Sequence, residues 1–168
     1  NVNWMKNGMY DRGATGVAFL RRDGFASMEA GAEAGSLTTR SVTFGGSRLF
    51  VNAATAKGEL RVEVLDEAGA VIAPFTRDNC CAVSSDSTLI SVAWAGADTL
   101  DALRGRPVRF RFTLRNGALY AFWVSRDATG RSDGYVAGGG PGFTGKTDTV
   151  GRAALEAEKT VLTDVTAS

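Results

Sequence analysis

The side chains best suited to chemistry in this chain are carboxylates, arginines and aromatics, because histidine is absent altogether. Its absence removes the usual general base near neutral pH, the Ser-His and Cys-His nucleophile pairs, and the commonest zinc ligand. The 18 acidic residues formally allow a carboxylate pair for glycoside hydrolysis. Yet the carboxylates sit mainly at turns, as at Asp23, Asp66, Glu67, Asp78, Asp86, Asp98, Asp101, Asp127 and Asp133, where Asp bonds its own backbone and shapes the turn. Turn-making explains them better than acid–base work, and the chain reads as a non-enzyme.

Arg126-Asp-Ala-Thr-Gly-Arg-Ser-Asp-Gly134 gathers Asp127 and Asp133 in one glycine-bearing loop. The loop lacks the bidentate Glu and the spacing of an EF-hand. No cofactor is required by any motif, and a structural calcium ion on Asp127 and Asp133 is the one metal expectation. Asp78 and Asp86 flank a pair of adjacent cysteines, Cys80 and Cys81, and offer the same kind of oxygen donor. A bridge between neighbouring cysteines is a strained ring, so the two read as small core or strand-end residues. Gly138-Gly-Gly140-Pro-Gly142 before Lys146-Thr147 lacks the register of a phosphate loop and reads as a glycine-rich wrap.

Sugar recognition uses flat aromatic faces against the C–H side of a pyranose, with polar groups beside them for the hydroxyls. Tyr120 and Phe122, alternating along one run and lying near Arg109 and Arg111, are the expected platform, with Tyr135 as a loop contact. Trp94 and Trp123 alternate with apolar positions and are expected to pack. Trp4, Tyr10, Tyr135 and Phe143 fall in irregular segments at the two ends of the chain, as ligand contacts or as plugs for a sheet edge.

Short strands must position these groups. Val108-Arg-Phe-Arg-Phe-Thr-Leu-Arg115, Asn116-Gly117 and Ala118-Leu-Tyr-Ala-Phe-Trp-Val124 alternate about a turn pair that favours a type I′ hairpin. With Arg115 opposite Ala118, the pairs Leu114/Leu119, Phe112/Ala121 and Phe110/Trp123 share a core face. Arg109, Arg111 and Thr113 then lie beside Tyr120, Phe122 and Val124 on the other. Further strand-like runs cover 16–21, 25–29, 37–44, 48–52, 59–65, 70–73 and 88–95, with glycine-bearing turns between them. In 59–65, Leu60, Val62 and Val64 oppose Arg61 and Glu63, which gives that strand one wet side. Strands at this spacing predict an all-β fold, a β-sandwich of the jelly-roll kind over 1–152 with a glycine-rich C-terminal wrap. Residues 153–168 follow as a short terminal helix or linker.

Bulk composition agrees with one globular domain: 168 residues, 44% of them hydrophobic, with 21 glycines for tight turns. The balance of 19 basic to 18 acidic residues contains no cationic run, so neither nucleic acid nor a membrane is expected as a partner. Asn1-Val-Asn-Trp4 has neither the charged nor the apolar region of a signal peptide, which is therefore absent or removed.

Gly16-Val-Ala-Phe-Leu-Arg-Arg-Asp-Gly-Phe-Ala-Ser-Met28, Leu37-Thr-Thr-Arg40, Leu49-Phe-Val-Asn52, Gly58-Glu-Leu-Arg-Val-Glu-Val-Leu-Asp66 and Trp94 together resemble a known accessory domain. It is the C-terminal β-sandwich, of the concanavalin or jelly-roll kind, of bacterial sialidase-like and family 32-like glycoside hydrolases. Arg106-Pro-Val-Arg-Phe-Arg-Phe-Thr-Leu-Arg115, Leu119-Tyr-Ala-Phe122 and Gly140-Pro-Gly-Phe143 fit the same order, so the resemblance covers residues 12 to 150. It implies a secreted, extracellular or periplasmic bacterial module carried beside a catalytic domain, with no catalytic residue of its own. Such a module either binds polysaccharide or oligosaccharide or braces its catalytic partner without a glycan site.

Overall fold

In the computed structural model, residue 16 and residues 20–136 and 142–157 are described. Seven strands among them form two antiparallel sheets. The first sheet has four strands in the order β1 (Met28–Ala30), β7 (Gly117–Ser125), β3 (Arg48–Ala54) and β5 (Asp86–Ser91). The second has three, in the order β2 (Gly35–Thr38), β6 (Arg109–Arg115) and β4 (Glu59–Leu65). Consecutive strands always belong to different sheets, so each connection crosses the sandwich and the chain winds as a jelly roll. The all-β expectation is met.

The period of two explains why these strands bury what they bury. Phe110, Phe112 and Leu114 of β6, with Leu60, Val62 and Val64 of β4, enter the core, where they meet Leu49, Val51 and Ala53 of β3. Trp94 fills the centre, turned edge-on to Phe75 at 5.4 Å, with its indole N–H donated to the carbonyl of Val62 at 2.8 Å. Burial of this side chain satisfies its one donor as well as its rings.

The expected hairpin does not form. β6 and β7 follow one another through Asn116 but pair in different sheets, β6 with β4 and β7 with β3, each along seven residue pairs. Asn116 takes a positive φ of 46° and Gly117 does not, so the two-residue type I′ turn is absent. Gly117 serves a different purpose, since a Cβ there would meet the Ala54 carbonyl oxygen at 2.7 Å. Splitting the ribbon lets both of its apolar faces bury against each other: Phe122 of β7 lies 4.9 Å from Phe112 and 6.0 Å from Phe110, ring to ring across the core. A paired hairpin would have left one of those faces wet.

A second correction follows from a β-bulge. Between Ala53↔Leu119 and Asn52↔Ala121, β7 carries one residue more than β3, and that residue is Tyr120. Leu119 faces the core before it, Phe122 and Val124 after it. Trp123, expected inside, is turned to the outer face and stacks on Phe50.

That outer face is covered in turn. Trp123 donates its indole N–H to Gly130 O at 2.9 Å, and Gly130 lies so close to Phe50 and Leu89 that both are buried. Asp148, 1% exposed, ties the later loop down, accepting from the Val150, Gly151 and Ser132 amides and from Arg22 at 3.1 Å. A helical turn over 152–157 completes the described wrap. The strand expected over 70–73 is reduced to a bridge from Val71 to Leu65, and the runs at 17–19 and 158–168 lie outside the described residues.

Candidate functional site

Among the described residues, the face left largely uncovered is that of the three-stranded sheet. Alternation that sends Phe110, Phe112 and Leu114 inward sends Arg109, Arg111, Thr113 and Arg115 outward. The register then sets their neighbours: Arg111 between Thr38 and Glu63, Thr113 between Ser36 and Arg61, Arg115 beside Glu59. The connection after β4 returns along that edge, pairing Val83 with Leu60, and brings Thr76, Arg77 and Asp78 up as a wall.

Between wall and sheet lies a groove of about 610 Å³, bordered by Ser36, Glu63, Arg77, Asp78, Arg111 and Thr113. A recess of about 170 Å³ continues it towards Glu59, Arg61 and Arg115, sharing Arg77, Asp78 and Thr113.

The polar groups of the groove hold one another in place. Arg111 donates from Nη1 to Glu63 at 2.9 Å and from Nε to Thr38 at 3.4 Å. Arg61 donates from Nε to Glu59 at 3.0 Å and from Nη1 to the carbonyl of Cys80 at 2.8 Å. Fixed in this way on strands, each guanidinium keeps an edge for a ligand at little further entropic cost. Arg77 pairs loosely with Asp78 at 3.7 Å, both of them exposed.

Of the residues expected to bind sugar, only Arg109 and Arg111 lie on this side. Arg109 follows the same outward row, its Nε buried without a partner. Phe122 is a core residue. Tyr120 lies on the opposite sheet, where the Arg21 guanidinium covers its ring at 4.6 Å while bonding Asn52 and the Ala53 carbonyl. Tyr135 is 72% exposed in the wrap, bridged to Thr147, and Phe143 lies under Arg22 at 4.5 Å. Trp4 and Tyr10 lie outside the described residues, as does most of the glycine run at 138–142.

Asp127 and Asp133 share a loop but face different arginines, Asp127 with Arg131 at 3.2 Å and Asp133 with Arg126 at 2.9 Å. Hydrogen bonds from Thr129, first from its hydroxyl and then from its amide, hold the Asp127 carboxyl below the usual carboxylate range. A calcium ion would have to displace an arginine from each, and the donors as arranged do not fit one. Among the described residues no group of three or more His, Cys, Asp or Glu gathers at one point. Cys80 and Cys81 are free thiols, the first buried and the second exposed, and burial pushes the Cys80 thiol up.

Sequence reasoning reached Arg111 with Thr113 beside it on the same face but missed Glu63, Ser36 and Arg77 as its companions. The wet side of 59–65 was the available signal. It required knowing that β4 and β2 flank β6. No helix among the described residues is long and apolar enough to cross a membrane. No protein-family model, curated protein or solved structure matches the chain.

Proposed function

We propose that this domain is a non-catalytic carbohydrate-binding module, carried by a secreted bacterial glycoside hydrolase or a related protein, whose polysaccharide or oligosaccharide ligand lies in the groove over β2, β6 and β4. The observation that carries the reading is the groove: donors and acceptors braced by ion pairs on rigid strands, open along its length, on the sheet face that the described residues leave uncovered. Sugar hydroxyls donate and accept, and this lining offers both.

Binding is favoured over hydrolysis by the state of the two glutamates that β4 turns towards the groove and its recess, Glu63 and Glu59. Both are already engaged by arginines.

Affinity electrophoresis against soluble polysaccharides, with pull-down on insoluble ones, tests the reading. Retention by at least one polymer is expected, weakened tenfold or more in Arg111→Ala and unchanged in Tyr135→Ala. Retention lost with Tyr135→Ala and kept with Arg111→Ala moves the ligand to the wrap and overturns the groove. Failure to bind any polysaccharide overturns the module itself. That outcome favours a bracing role, which has its own support in the exposed Leu20, Phe25 and Met28, at 58%, 81% and 56%, apolar side chains that a neighbouring catalytic domain would cover.

A further inference from the structure

We infer that the groove selects acidic glycans, polymers whose sugars carry carboxylate or sulfate groups. The inference rests on the carbohydrate-binding reading above and narrows it to a substrate class.

Charge is the first argument. The groove and its recess are lined by Arg61, Arg77, Arg111 and Arg115 against Glu59, Glu63 and Asp78, a surplus of one positive charge. The whole chain has a net charge of only +1, so this lining carries as much positive excess as the entire sequence. A groove lined by one excess sign, over the low-dielectric interior of a sandwich, concentrates ligands of the other sign.

Availability is the second. Glu63 orients Arg111 and Glu59 orients Arg61, yet Arg115 has no partner among the described residues and Arg77 is held only at 3.7 Å. Both stand exposed at the rims of the recess. A guanidinium fork matches a carboxylate or sulfate oxygen pair in two parallel hydrogen bonds, which a neutral hydroxyl cannot supply.

The third argument is what the groove lacks. Among the described residues no aromatic side chain lines it or its recess, so they give the apolar face of a neutral pyranose nothing flat to rest on. The aromatics of β7 are engaged elsewhere, Phe122 in the core, Trp123 against Phe50 and Tyr120 beneath Arg21. Affinity here has to come from ionic hydrogen bonds.

The test uses the whole chain in affinity electrophoresis and calorimetry with polygalacturonate and chondroitin sulfate as acidic probes, and mannan and dextran as neutral ones. Binding to at least one acidic polymer, falling steeply with added salt, is expected, with no retention by the neutral pair. Arg77→Ala/Arg115→Ala should weaken it at least tenfold, while Lys146→Ala/Arg152→Ala, the same charge change on the wrap, should leave it within twofold. Unchanged melting of both variants shows that the fold is intact. Equal loss in both variants reduces the effect to diffuse charge and overturns the inference. Retention by mannan or dextran that depends on Arg111 also overturns it and leaves the carbohydrate module standing. Retention by none of the four, nor by any wider panel, overturns both.

Discussion

Trp123 lies against Phe50 with ring centroids 5.9 Å apart and planes inclined by 15°, on the side of the four-stranded sheet turned away from the core. The contact exists because Tyr120 bulges out of β7 and reverses which residues point inward. It gives the sandwich a second apolar layer, roofed by the loop that Gly130 brings down.

That roof predicts a stability effect at Gly130. Its φ of +75° is one that a side chain rarely adopts, and a Cβ would stand 2.8 Å from Leu89 and 2.9 Å from Phe50. Gly130→Ala should cost about 1–3 kcal/mol, from backbone strain and overpacking together. Urea unfolding followed by Trp fluorescence reads it, and an unchanged midpoint would mean that the loop does not seat there in solution.

Asp148 anchors the same wrap to the N-terminal side of the domain through Arg22. The carboxylate is 1% exposed and the Arg22 side chain 14%, so Asp148→Ala leaves a largely buried guanidinium, whose Nη1 already lacks a partner, with only the looser Asp23 contact at 3.7 Å and the Phe143 ring. A loss of about 3 kcal/mol is expected. Arg22→Met/Asp148→Leu should recover part of it, which a double-mutant cycle would measure. Limited proteolysis should cut the single variant first between 130 and 150.

The two cysteines should differ in reactivity. Cys81 is exposed and Cys80 buried, so iodoacetamide should modify one thiol per folded chain and two after denaturation. Burial raises the Cys80 thiol above its ordinary value of 9.0. Its contribution to stability is therefore complete below that pH and is lost as pH rises from there through the higher folded value. Cys80→Ala should flatten the alkaline limb of a stability profile, and a limb of unchanged slope would refute the assignment.

Asp127 shows the opposite sign. Thr129 lowers its carboxyl below the ordinary 3.8, so the stabilisation is present above that value and fades as pH falls through the lower folded one. Thr129→Val should bring the Asp127 titration, followed by carboxyl NMR, back up towards the ordinary value. The side chain lies at the surface, about half-exposed, and the readout is its titration rather than global stability.

Much of the frame was legible in the residues. Strand β4 runs over Glu59–Leu65, the span its alternation marks, with Leu60, Val62 and Val64 buried and Arg61 and Glu63 outward. In β6 the inward Phe110, Phe112 and Leu114 are likewise as their spacing implies. Inside and outside along one strand are a local matter, set by the period of the pleat and the chemistry of neighbouring residues.

Tertiary structure decided the rest. Asn116-Gly117 favours a hairpin, but seven pairs to β4 and seven to β3, with a phenylalanine cluster closed between the sheets, outweigh one turn preference. No local pattern marks the extra residue at Tyr120, because a bulge is defined by the partner strand, and the Asn52/Ala53 step of β3 lies far away in sequence. The groove depends on the same kind of information. Arg111 is visible as an outward arginine from its own strand, while Glu63, 48 residues earlier, and Arg77, on a returning connection, become its neighbours only when the sheet order is settled. Alternation is written along the chain, whereas adjacency between strands is a global free-energy minimum, reached by burying both sheets against each other at once.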